Sequence, residues 1–105
     1  MDVSYIIKEV FRIIRRYLSD EYKVFVFGSW ATGSALPTSD VDIGILGNQP
    51  VPWEIMHRIR GEVEAIPTLR RIDVVDLYAK EPTFTENILR TAILVENERD
   101  IQIAQ

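Results

Sequence analysis

Two β-rich runs, Lys23–Phe27 and residues 40–46, are separated only by residues 28–39. That connection holds small and turn-forming residues: Ser29, Gly33, Ser34, Pro37, Thr38 and Ser39. It reads as a tight turn with room for one helical turn, followed by a loop. Parallel neighbours need a crossover of about a dozen residues or more, usually helical. A doubly wound fold would put a helix between every pair of strands. The first pair here has none, so the expected sheet is mixed.

The rest of the chain alternates helical and strand patterns. Ile6, Ile7, Val10, Phe11, Ile14, Tyr17 and Leu18 recur at helical spacing, with Arg12, Arg15 and Arg16 mostly on the other side. Ser19-Asp20 ends that pattern. After the breaker-rich loop Gly47-Asn48-Gln49-Pro50, a second helix is marked by Trp53, Met56, Ile59, Val63 and Ile66, bounded by Pro52 and Pro67. Residues 71–77 read as a third strand. Ile88, Leu89, Ala92, Ile93 and Val95 predict a last helix running to Glu98, capped by Thr83 or Thr85. The order is helix, strand, strand, helix, strand, helix. This predicts one α/β (α+β) domain over 1–105, with about three core strands and helices packed against the sheet. The apolar helical stripes are read as core, with one left open as a homodimer surface.

Composition narrows the function classes. The chain has 105 residues, 12 basic and 16 acidic, for a net charge of −4. An acidic chain is poorly suited to general nucleic-acid binding, which needs a positive surface. It has no cysteine, which removes disulfides and thiolate metal sites. No apolar run is long enough to span a bilayer, and no signal pattern follows Met1. A cytoplasmic protein with no membrane partner is expected.

The chemistry concentrates in residues 28–42. Gly28 and Ser29 close the first strand, and glycine lets backbone approach a ligand closely. N–H groups after such a turn can converge on an anion, and the Ser29 hydroxyl adds a donor. Asp40 and Asp42 open the next strand. Residues at i and i+2 project from one face, with Cα atoms roughly 6–7 Å apart. Two carboxylates so placed suit Mg²⁺, which prefers oxygen ligands and keeps waters and phosphates in its shell. Two such ions, about 3.5–4 Å apart, activate an attacking oxygen and stabilise a leaving one. A third carboxylate would come from Asp73 or Asp76, which lie on opposite faces; spacing alone does not choose between them. A cap explains Asp40 but not Asp42, which interrupts an apolar strand.

The pattern of Gly28-Ser29, Gly33 and Ser39-Asp40-x-Asp42 resembles the signature of the DNA-polymerase-beta-like nucleotidyltransferase superfamily. Its short length, with Asp73-Val-Val-Asp76 on a later strand, resembles the minimal nucleotidyltransferase branch. The likeness covers nearly the whole chain. It implies that Gly28 and Ser29 bind the triphosphate of ATP, and that Asp40 and Asp42 ligate Mg²⁺. It implies that Asp73 is the third carboxylate, as metal ligand or general base. Members of the branch are often antitoxins that transfer AMP from ATP to a tyrosine of a partner HEPN-type toxin. Many carry arginine where Trp30 or Thr32 stands here, so cations such as Lys23, Arg70 or Arg71 are candidates to substitute.

Two other readings accompany this one. In one, the chain acts as a binding module that neutralises its partner by occlusion, which the missing arginines favour. In the other, it is a small-molecule nucleotidyltransferase of the aminoglycoside type, although such enzymes usually carry an added domain. A Walker-type loop is disfavoured, since no Gly-Lys-Ser/Thr follows the glycines. His57 reads as a surface or core-edge residue, and Trp30 as packing or stacking on a ligand.

Overall fold

The computed structural model describes residues 2–101. Helix α1 spans Val3–Tyr17. Asp2 caps it, its carboxylate accepting the Tyr5 N–H at 2.9 Å; such a cap is worth about 1 kcal/mol. Arg15 and Arg16 lie in its last turn, where positive charge complements the helix dipole. Strand β1 follows at Lys23–Phe27, then the one-turn helix α2 at Ser29–Thr32, then strand β2 at Val41–Leu46. Helix α3, Trp53–Glu64, carries the chain to strand β3, Ile72–Asp76.

The remaining segment departs from the sequence expectation. Helix α4 covers only Pro82–Leu89, and Ile93–Val95 forms a strand, β4. The sheet therefore has four strands, in the order β3-β2-β1-β4, rather than about three. The physical reason is that α4 buries no residue completely, so little packing holds a longer helix together. The run Ile-Leu-Val instead pairs with β1, with Val24 opposite Val95 and Val26 opposite Ile93. Neither threonine caps α4. Glu81 holds the cap position without a side-chain bond, while the Thr85 hydroxyl donates to the Leu77 carbonyl at 2.8 Å.

The sheet is mixed, as its short first connection requires. β1 runs antiparallel to both β2 and β4, whereas β2 and β3 are parallel and joined through α3. Alternation divides the strands into two faces. Val24, Val26, Val41, Ile43, Ile45, Val74 and Val95 are buried with Ile6, Ile7, Val10 and Ile14 of α1 and Met56, Ile59 and Val63 of α3. Both helical stripes are thus spent on the core. Arg60 of α3 reaches the sheet margin, donating Nε (3.1 Å) and Nη2 (2.9 Å) to the Val74 carbonyl of β3.

The other face is largely open. Register places Phe25 beside Gly44 and Leu94, and Phe27 beside Asp42. Leu77, in a short 3₁₀ turn after β3, folds over Gly44. A Cβ at Gly44 would meet Leu77 Cδ1 at 2.6 Å, so this position needs glycine for room. Among the described residues no helix is long and apolar enough to cross a membrane.

The arginines of α1 engage surface partners. Arg12 bonds Glu9 and, at 2.6 Å, Glu98; Arg16 bonds Glu62; Arg15 lies over the Phe11 ring. Exposed pairs of this kind contribute about 0–1 kcal/mol each.

Candidate active site

The site begins where β1 stops. Gly28 has φ 75° and ψ −154°, a conformation that residues with a side chain rarely adopt. A Cβ there would also overlap Asp42 Oδ2 and lie 3.2 Å from Asp42 Cγ. Glycine is therefore required twice, by backbone angle and by the carboxylate against it. The bend and the acid strand are in direct apposition.

Past Gly28 the chain turns into α2. The Ala31 and Thr32 N–H groups return to the Gly28 carbonyl at 3.0 and 3.2 Å. The N–H groups that open a helix have no partner within it, which leaves those of Ser29 and Trp30 directed ahead of the turn. Gly33, at φ 81°, ends the turn in the left-handed region. The following loop is pinned at several points. Leu36 N–H donates to Ser39 Oγ at 2.8 Å, and Trp30 Nε1 donates to the Ser39 carbonyl at 3.2 Å. The Arg70 guanidinium sits 5.5 Å from the Trp30 ring centroid and also bonds the Pro37 carbonyl. These contacts fix the approach to Asp40.

The acids gather on the open face. Asp42 stands in register with Phe27 on one side and Asp73 on the other. Neighbouring strands lie about 4.8 Å apart, so two carboxylates project side by side. Asp40 precedes β2 by one residue and shares the Asp42 side by alternation. Asp42 is half-buried; Asp40 and Asp73 are exposed. Burial pushes the Asp42 carboxyl above the usual carboxylate range, the negative charges of Asp73 and Asp40 push it further, and Arg71 opposes them. Among the described residues no three acids or imidazoles are already drawn to ligand distances of one point. The carboxylates are aligned yet apart, as like charges are. Their oxygen donors are of the hard type that Mg²⁺ takes, and phosphate oxygens and waters commonly complete its shell.

The remaining candidates fall in different places. Asp76 is engaged elsewhere, accepting the Val51 N–H at 2.9 Å and the Tyr78 N–H at 3.1 Å. Lys23 lies at the far end of β1, opposite Leu46. Arg70 is engaged with Trp30 and Pro37, and Trp30 packs against the core. Arg71 is left near Asp42. His57 is exposed on α3. Phe27 was not among the residues named from sequence, although alternation from Val24 and Val26 puts it on the open face, next to the acids.

Comparison with known proteins agrees with this fold. The family described as "Polymerase beta, Nucleotidyltransferase" matches residues 10–100. A Haemophilus influenzae protein named "Probable protein adenylyltransferase MntA" is 24% identical over 94 residues, covering 89% of this chain and 82% of its own. A solved structure assigned as a minimal nucleotidyltransferase superposes with a TM-score of 0.65 at 25% identity, covering 89% of this chain and 95% of its own. The fold also matches a Shewanella oneidensis complex of a tri-AMPylated HEPN toxin with its MNT antitoxin. There the TM-score is 0.58 at 15% identity, covering 91% of this chain and 74% of the other.

Proposed function

Because the chain belongs to the polymerase-beta nucleotidyltransferase family, we propose that it transfers AMP from ATP to a hydroxyl of a partner protein, a tyrosine of a HEPN-type toxin, and so acts as an antitoxin in the cytoplasm. The observation that carries this reading is the contact between Gly28 and Asp42. It brings a phosphate-approaching bend against the acids that would hold the cation.

In this reading Gly28 and Ser29 take the phosphates, and Asp40, Asp42 and Asp73 hold Mg²⁺, two ions in the full complement. The metal, when bound, neutralises phosphate charge and polarises the reacting oxygens. Gly28 lets the backbone close on the phosphates without a side chain between, and Ser29 adds a hydroxyl donor. Asp73, exposed at the rim, takes the proton of the acceptor hydroxyl. The acceptor oxygen forms its bond to the α-phosphorus as the bond to the β-phosphate oxygen breaks, and pyrophosphate leaves. The partner and acceptor in this proposal follow the relatives: one is named a protein adenylyltransferase, and another is an antitoxin complexed with an AMPylated toxin.

Incubating the protein with α-labelled ATP, Mg²⁺ and the product of the neighbouring gene tests it. Label should move to the partner, and Asp42→Asn should reduce transfer by about 10³-fold or more, comparable to removing a principal electrostatic contact. Unchanged transfer by that variant would remove Asp42 from the mechanism. A second reading, neutralisation by occlusion, is favoured by one feature: residues 28–42 contain no lysine or arginine. Tight complex formation without label would select it.

A further inference from the structure

A triphosphate carries several negative charges, and the turn that would receive it supplies no cation of its own. The structure offers one from another element. Arg71 immediately precedes β3, and its carbonyl accepts the Val41 N–H at 2.9 Å, fixing it beside the start of β2. Being two residues before Asp73, it shares that residue's side of the strand. Arg71 and Asp73 also line one surface cleft of about 380 Å³, together with Glu64, Ile66, Thr68 and Arg70.

Its guanidinium is uncommitted. Arg70 is held by Trp30 and the Pro37 carbonyl, and Arg60 by the Val74 carbonyl. Among the described residues, Arg71 has neither a side-chain hydrogen bond nor an ion pair, although it is exposed and close enough to Asp42 for their charges to interact. A cation so placed has two possible uses. It can serve as a counter-ion for the acid cluster, or it can meet the phosphates once a metal has neutralised that cluster. Its planar fork of N–H donors matches carboxylate and phosphate oxygens alike, and among the described residues no carboxylate takes it up, which leaves the fork free for phosphate.

We infer that Arg71 is a phosphate-binding residue of this site, supplying from β3 the positive charge that the β1–β2 turn lacks. The inference rests on the nucleotidyltransferase reading above. It is tested by calorimetric titration of the full chain with Mg·ATP and, separately, with Mg²⁺ alone. Arg71→Ala should weaken Mg·ATP binding about 10-fold or more, as loss of a charge-assisted hydrogen bond does. Arg71→Lys, which keeps the charge and loses the fork, should recover part of that loss. Mg²⁺ alone should bind as well or better once the neighbouring cation is gone. If R71A unfolds, Arg71→Gln compared with Arg71→Lys reads the same difference. Mg·ATP binding by the neutral variant that equals or exceeds wild type would overturn the assignment and leave Arg71 a counter-ion of the acids. Wild-type protein that fails to bind Mg·ATP would remove the nucleotide reading itself, a separate and recognisable failure.

Discussion

The two faces of the sheet are made by the same strands and follow opposite rules. On the helix-covered face, Val24, Val26, Val41, Ile43, Ile45 and Val74 form a continuous aliphatic layer against α1 and α3. On the open face, Phe27, Asp42 and Asp73 lie in one row and Phe25, Gly44 and Val75 in the next. One residue along a strand separates a position that stabilises the fold from one that can bind a ligand. Ile43 and Asp42 are the sharpest instance. They are neighbours in sequence, one fully buried and the other against Gly28. Stability and chemistry are separated by parity rather than by distance.

That separation can be broken experimentally. The largest effect is expected from Ile43→Ala, which empties the centre of the aliphatic layer. Urea denaturation should show a loss of about 2–5 kcal/mol, a large share of the total for a domain of this size. Next comes Gly28→Ala, which forces a side chain into a conformation that disfavours it and into the Asp42 carboxylate. The backbone strain alone should cost about 1–3 kcal/mol. Unlike Ile43→Ala, it should also impair nucleotide binding in molecules that remain folded. A Gly28→Ala protein that binds Mg·ATP normally would show that the bend and the acids need no close contact.

The smallest effect has the opposite sign. Burial and neighbouring acids raise the Asp42 pKa in the folded chain. The folded state then holds a proton on Asp42 more tightly than the unfolded state does. The stabilisation this provides is present below the ordinary carboxylate pKa and disappears as pH rises through the raised value. At neutral pH the ionised Asp42 therefore opposes folding. Asp42→Asn should raise the Tm of the metal-free protein at pH 7. The advantage should shrink as pH is lowered through the carboxylate range, and Mg²⁺ should narrow it by stabilising wild type alone. A lower Tm for Asp42→Asn at pH 7 would mean that the carboxylate is satisfied in the metal-free fold.

Much of this architecture was legible in the chain itself. The apolar spacing of Ile6, Val10 and Ile14 and of Met56, Ile59 and Val63 specified two amphipathic helices, and both bury those residues. Gly28, Ser29, Asp40 and Asp42 were identifiable because glycine and charge are out of place in otherwise apolar β segments. What escaped was set by distant partners. Ile93-Leu94-Val95 fits the end of a helix or a short strand equally well. The choice is made by β1, roughly seventy residues earlier in the chain. The surroundings of Arg71 and Phe27 depend on register between strands, which no local pattern records. Trp30 looked like a vacancy for a cation, but the Arg70 guanidinium that covers it comes from the loop before β3.

Arg60 has a consequence for how copies of this protein coexist. β3 is an outer strand of the sheet, and its Val74 carbonyl already accepts two N–H donors from α3. A foreign strand seeking to extend the ladder would find that acceptor occupied and a bulky side chain in its path. The guanidinium thus obstructs strand addition at this point of the sheet's margin.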